Sequence, residues 1–306
     1  MTARVAVVGS INMDLVVRCQ NLPRAGETIL AASSAEIPGG KGANQAVAAA
    51  KVGAEVSMIG RIGDDAFGPR LLSNLQAHQI NTDHVLPCSE TPSGIAVITV
   101  DDAGENSIVL SPGANSLVSG EDVEHARAVI EDADVLLVQL EVPAATIVTA
   151  LRIAKAAGVK TVFDPAPAPQ VWPGEFAIAD VICPNETEAG AMTGMAVNSI
   201  ETAIQSAGVL STQTGGLAII TLGSDGAVIC TPDGDCQHIP TGVTNVVDTT
   251  GSGDAFAGAF AVRWAETNDP AAAIHFANAA GSLAATRLGA QTGMGTRAEI
   301  DQQVRD

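Results

Sequence analysis

The chain has 306 residues, 46% of them hydrophobic, enough for a sizeable core in one large α/β unit with a small appendage. Its formal net charge is -19, from 34 acidic and 15 basic residues, so nucleic acid and anionic membranes are repelled and neither is an expected partner. Five cysteines (Cys19, Cys88, Cys183, Cys230, Cys236) lie scattered without CxxC or Cys/His pairing, which reads as small buried hydrophobes in a reducing compartment, not a disulfide framework or a zinc site.

Met1-Thr2-Ala3-Arg4 leads straight into an apolar segment with no signal peptide, and the longest uncharged run, Thr202 to Ser224, is too rich in Gly, Ser, Thr and Gln to span a membrane. A soluble cytoplasmic protein is expected. In chain order, strands are predicted at Val5–Val8, Val56–Ile59, Val135–Leu140, Thr161–Phe163, Val181–Cys183, Ala218–Leu222 and Ala227–Cys230. Helices are predicted at Ala43–Val52, Asp65–His78, Glu121–Glu131, Ala144–Ala157, Ala255–Glu266 and Pro270–Arg287; Asp269 caps the last, Pro270 suits its first position and Gly289 its end. Strands alternating with helices imply a mostly parallel sheet covered on both faces.

Two stretches break that rhythm. Residues 11–34 and 91–110 alternate like hairpins, with Ile95–Val100, the turn Asp101–Gly104 and Asn106–Leu110. They read as a small β-sheet inserted into one α/β unit spanning 1–306 and placed to cover a site. Open parallel sheets bind ligands beyond the carboxyl ends of their strands. Asn12 and Asp14, Glu141, Asp164, Asn185 and Gly223-Ser224 all follow such ends.

The stretch Val246–Phe256 carries the sharpest chemistry. Gly251-Ser252-Gly253 opens a helix, leaving backbone N–H groups free to hold an anion, and Asp254 stands beside them. A carboxylate next to an anion hole suits a base that takes the proton of a hydroxyl attacking a nearby phosphorus. Pro38–Ala46 is a second glycine-rich turn, but it lacks both the GxxxxGK[ST] and the GxGxxG spacing. It reads either as a tight strand–helix connection or as a cradle in which Lys41 and Asn44 donate to ligand hydroxyls. Gly9–Asp14 reads equally as a local cap, and Asn185–Glu188 as an ordinary acidic helix start or as a Mg²⁺ site acting through waters. The five histidines form no ligand pattern, and no GxSxG or Cys/His nucleophile signature is present.

Together Gly9–Asp14, Gly26-Glu27-Thr28, Gly39–Gln45, Gln139-Leu140-Glu141, Asn185–Glu188, Thr221–Ser224 and Asp248–Asp254 resemble the ribokinase/PfkB sugar-kinase family along essentially the whole chain. The family's Gly-Ala-Gly-Asp segment stands here as Gly251-Ser252-Gly253-Asp254. The resemblance implies a three-layer α/β/α core with a β-sheet lid, and ATP-dependent phosphorylation of the D-ribose 5-hydroxyl. Asp254 would be the base and the amides of Gly251, Ser252 and Gly253 the anion hole. Asn12, Met13, Asp14, Gly40, Lys41, Gly42, Ala43, Asn44, Glu141 and Asp254 would contact ribose. Asn185, Thr221, Leu222, Gly223, Ser224, Asp225, Gly226, Gly253, Asp254 and Asn278 would line the nucleotide site. Asp248, Thr250, Ala284, Arg287, Gly289 and Gly293 would hold K⁺, with Gly293 standing where some relatives carry serine. Asn185 and Glu188 would reach Mg²⁺ through water. A homodimer formed through the lid is also implied. Another kinase of the same family, or a ribose-binding protein without catalysis, are the alternatives.

Overall fold

The computed structural model describes residues 2–169, 174–242 and 245–305. The chain opens with β1 (Arg4–Val8), β2 (Asn12–Arg18), β3 (Ser33–Gly39) and α1 (Lys41–Lys51), followed by β4 (Glu55–Gly63), α2 (Gly68–Ala77) and β5 (Asn81–Cys88). Next come β6 (Gly94–Val100), β7 (Asn106–Ser111), α3 (Gly120–His125), α4 (Arg127–Glu131), β8 (Val135–Val138), α5 (Ala144–Ala157) and β9 (Lys160–Phe163). The second half holds β10 (Val181–Ile182), α6 (Glu186–Thr193), α7 (Ile200–Thr214), β11 (Leu217–Thr221), β12 (Ala227–Cys230), β13 (Cys236–Ile239), α8 (Ser252–Thr267), α9 (Pro270–Ala285), α10 (Ala290–Gly293) and α11 (Arg297–Arg305).

Nine strands form one sheet in the order β13-β12-β11-β10-β9-β8-β1-β4-β5. It is parallel from β11 to β5, while β12 and β13 add on antiparallel. Alternation along β1 shows why both faces are covered. Val5 and Val7 join the core under α1, α2, α8 and α9; Ala6 and Val8 join the one under α3 to α7. The result is a helix–sheet–helix sandwich, as predicted. Strands β3-β2-β6-β7 make a second, smaller sheet, in which β2 pairs antiparallel with β3 and parallel with β6. Its predicted turn forms: the Gly104 N–H reaches the Asp101 carbonyl at 3.0 Å. This sheet extends past the expected stretch, because β3 runs on to Gly39.

All seven predicted core strands form. The helix predicted over Glu121–Glu131 breaks at Ala126 into α3 and α4, and the last long helix ends at Ala285, with Gly289 instead preceding α10. Sequence reading missed α7, β5, β13, α10 and α11. Helix α7 buries mostly small residues (Ala203, Ser206, Ala207, Ser211) beside Leu210, so its amphipathic signal is weak; its clearest sign was Ser199, whose hydroxyl caps Thr202 N–H. Strand β5 carries Pro87, which its position at the sheet edge tolerates.

One expectation is corrected. Cys230 and Cys236 are joined in a disulfide. They face each other across the β12–β13 hairpin, with Cα atoms 4.2 Å apart, and strand register creates that pairing without any spacing motif. Cys19, Cys88 and Cys183 are free and buried, as predicted. Among the described residues no helix is long and apolar enough to cross a membrane.

Candidate active site

Strand β1 lies between β8 and β4, so the chain leaves it first to one side and later returns on the other. Such a reversal opens a crevice at the carboxyl ends. Ser10 follows β1 and Glu141 follows β8, and the Ser10 hydroxyl donates to Glu141 Oε2 at 2.6 Å across that crevice. The same oxygen accepts from the Lys41 N–H at 3.2 Å and from Asn12 Nδ2 at 3.4 Å. Asn12 is held in turn by Asn115 Nδ2, which donates to its Oδ1 at 2.6 Å. Asp14, two residues along β2, lies on the same face as Asn12.

The glycine turn before α1 exists because side chains would not fit. Gly40 has φ +90, and a Cβ there would sit 2.7 Å from the Asn12 nitrogen; one on Gly39 would collide with the Asp14 carboxylate. The turn thus lets α1 start against β2 and bring Lys41, Asn44 and Gln45 to the crevice. Met13 and Ala43 turn their side chains into the core, leaving only their main chain for a ligand.

Helix α8 begins at Gly251, whose φ of +76 and contact with Ala290 require glycine. The N–H groups of Gly253 and Asp254 donate to no described residue, and Ser252 Oγ is buried without a partner among them. Asp254 is 5% exposed and accepts from Asn44 Nδ2 at 2.9 Å (Oδ2) and from Gln45 Nε2 at 3.2 Å (Oδ1). Close packing of α1 on α8 makes this possible: a Cβ on Gly258 would lie 2.6 Å from that of Ala48. Gln45 Nε2 also donates to Asp164 Oδ2 at 2.9 Å, and Lys41 Nζ lies 3.5 Å from the same oxygen.

Burial raises the pKa of Asp254 to about 6, with Asp164 and Glu141 adding to the rise against Lys41 and Asn44. It raises Asp164 to about 6 and, with Glu141 and Asp254 nearby, Asp14 to about 7. For Lys41 burial works downward, but Asp164, Asp254, Glu188 and Glu141 outweigh it and hold the ammonium firmly charged. Four carboxylates around one cation leave the crevice poorly neutralised, a state suited to a ligand rich in hydroxyl donors.

Next to the α8 N-terminus lies a cavity of about 160 Å³ bordered by Thr221, Gly223, Ser224, Gly226, Ser252, Gly253 and Asn278. Leu222 is core, Asp225 lies outside the lining and its carbonyl bonds His238, and Asn278 Nδ2 donates to the Ile239 carbonyl at 3.0 Å. Asn185 stands apart from the lining, bridged to Thr221. It forms a reciprocal cap with Glu188, each side chain accepting from the other's N–H at 2.9 Å. Beyond α9, Asp248 accepts from Thr250 N–H at 3.0 Å and Gly289 N–H at 2.8 Å. Burial opposes ionisation of Asp248, but the bonds from Thr250 and Gly289 outweigh it and lower its pKa. A Cβ on Gly293 would lie 3.0 Å from the Ala284 carbonyl and 3.4 Å from that of Arg287, so both oxygens face one small space.

Sequence reasoning left Asp164 unassigned, quoted Ser10, Gln45 and Gln139 inside motifs without giving them a role, and missed Asn115. Asp164 had a visible signal, its place at a strand end. Gln45 had the spacing from Lys41 that shares a helix face.

A buried carboxylate in the first turn of α8, between a polar crevice and a cavity, is an arrangement that a phosphoryl-transfer enzyme can use. Residues 2–297 match the pfkB family carbohydrate kinase description, and the chain belongs to that family. It is 39% identical over 298 residues to ribokinase of Bacillus subtilis (strain 168), covering 97% of this chain and 98% of that one. It is 37% identical over 291 residues to deoxyribokinase of Salmonella typhi, covering 94% of each. Its fold resembles Arabidopsis thaliana ribokinase complexed with ribose and ATP, with a TM-score of 0.89, 32% identity and 100% of both chains covered.

Proposed function

We propose that this chain is an ATP-dependent ribose kinase, converting D-ribose and ATP to D-ribose 5-phosphate and ADP. The observation that carries the reading is the position of Asp254, buried between two amide donors at the start of α8. Glu141, Asn12, Asp14, Lys41 and Asn44 hold the sugar's hydroxyls. Gly42 lets α1 approach the chain after β1, since a Cβ there would lie 2.7 Å from Gly9. Asp254 accepts the proton of the 5-hydroxyl as that oxygen attacks the γ-phosphorus. The Gly253 and Asp254 amides stabilise charge on the transferred group, with that of Gly251 beside them; the expected Ser252 amide is instead bonded to the Thr249 carbonyl at 3.1 Å. Thr221, Gly223, Ser224, Gly226 and Asn278 bind the nucleotide.

Two cations accompany this reading. The all-oxygen donor set of Asp248, Ala284, Arg287, Gly289, Gly293 and Thr250 fits K⁺, because two carbonyls converge where Gly293 has no side chain. Glu188 leaves Oε1 without a bond among the described residues, which fits a Mg²⁺ ion held through water by it and Asn185. Bound there, the cations would offset negative charge on the phosphates and on the group held in the anion hole. The smaller sheet acts as a lid within one unit and carries the exposed Val97, Ile108, Val109 and Leu110. These apolar residues support a homodimer formed lid to lid. Sedimentation should give one species near twice 30.8 kDa, and a monomer across micromolar concentrations would refute the dimer.

The test of function is ADP release with ribose, 2-deoxyribose or fructose, with Mg²⁺ and either K⁺ or Na⁺. Ribose should turn over with the highest kcat/KM, and faster in K⁺. Preference for 2-deoxyribose would move the reading to the deoxyribokinase branch, no ADP with any sugar would end it, and equal rates in K⁺ and Na⁺ would remove the cation site.

A further inference from the structure

We infer that Gln45 and Asp164 are positioning residues for Asp254, acting in opposite directions on its readiness to take the sugar's proton; the inference rests on Asp254 being the base. One amide nitrogen, Gln45 Nε2, donates to both Asp254 Oδ1 at 3.2 Å and Asp164 Oδ2 at 2.9 Å. Its two protons are thus divided between two buried carboxylates. The other end of the amide is fixed, because Gln45 Oε1 accepts from Gln139 Nε2. Gln45 and Gln139 are both 0% exposed, so bulk water does not compete for either bond. The contact of α1 with α8 at Gly258 sets the distance.

Each partner pulls on Asp254 differently. A donated N–H favours the ionised carboxylate. The negative Asp164, bonded to the same amide nitrogen, disfavours it. Lys41 balances the pair from α1, at 3.5 Å from Asp164. The remaining charged groups facing Asp254 are Glu141 after β8 and Asp14 on β2. Those facing Asp164 are Lys41, Glu141, Glu188 of α6 and the Cys183 thiol after β10. Burial pushes both carboxylates up and the Lys41 charge opposes that most, while Gln45 gives each of them one N–H bond that favours its ionised form.

The experiment is the pH profile of kcat and of KM for ribose in the wild type, Gln45→Met and Asp164→Asn, with Asp254→Asn as reference and thermal unfolding of each. Loss of the amide should move the acid limb of kcat up by about one pH unit, a roughly tenfold loss at a pH below the limb. Asp164→Asn keeps an oxygen for Gln45 but removes the charge, so its limb should move down. KM for ribose should change far less than kcat in either variant. A purely structural role would lower Tm without opposed shifts. Limbs that stay put or move together, with Asp254→Asn inactive, overturn this inference alone. Near-normal turnover by Asp254→Asn overturns the base assignment and the inference with it. Should Gln45→Met fail to fold, the downward shift in Asp164→Asn decides.

Discussion

Asp254→Asn should leave a folded protein that still binds ribose and ATP, while kcat falls by about 10²–10⁴-fold, the usual worth of a positioned general base. The amide keeps the shape of the carboxylate and removes only its ability to take a proton. Affinity should change little if, as proposed, Glu141, Asn12 and Asp14 hold the sugar from the β1–β2 side of the crevice. Calorimetric titration and steady-state kinetics on the same preparation check both halves. A kcat within a few-fold of wild type would show that the proton leaves by another route. In the wild type, kcat should also decline as pH falls through about 6, where Asp254 takes up a proton before the sugar can offer one.

Asp14→Asn should do the reverse, raising KM for ribose while making the fold more stable. Asp14 is 8% exposed and burial, Glu141 and Asp254 lift its pKa from 3.8 to about 7. The folded chain therefore binds this proton more tightly than the unfolded chain. Between those two values stability falls as pH rises, and above about 7 the full cost of a buried charge is present. The shift corresponds to roughly 4 kcal/mol, an upper figure. Asparagine removes that cost but loses a charged acceptor for sugar hydroxyls, typically about 1.5–3 kcal/mol per bond. KM should rise by at least tenfold with kcat at saturation nearly unchanged. Tm should rise at pH 8 and change little at pH 4. A lowered Tm at pH 8 would show that the carboxylate stabilises the empty site instead of straining it.

How much of this was legible in the sequence differs between fold and site. Short apolar runs such as Val135–Val138 and Val5–Val8 announce a sheet buried on both faces, and the structure has it. Helix α7 was hidden because alanines and serines fill its buried stripe, and β13 because its pairing with β12 is decided by a turn. Within the site, Asp254 and its glycines could be read locally, since a helix N-terminus is a property of a few consecutive residues. Gln45 could not. Its partners are Asp164 and Asp254, 119 and 209 residues away, and only the packing of α1 on α8 brings them to it. The Cys230–Cys236 bond was missed for the related reason that register, not spacing, sets who faces whom.

Gln291 of α10 donates to Asn44 Oδ1 at 3.0 Å, and Asn44 donates to Asp254. The carbonyl of Gln291 is in turn bonded by Lys51 at 2.7 Å. Gln291 lies 247 residues along the chain from Asn44 and 240 from Lys51. The Asn44 amide, which donates to Asp254, is therefore unclamped until α10 docks on α1. Turnover should therefore wait on the docking of these two distant segments, not on the sheet alone.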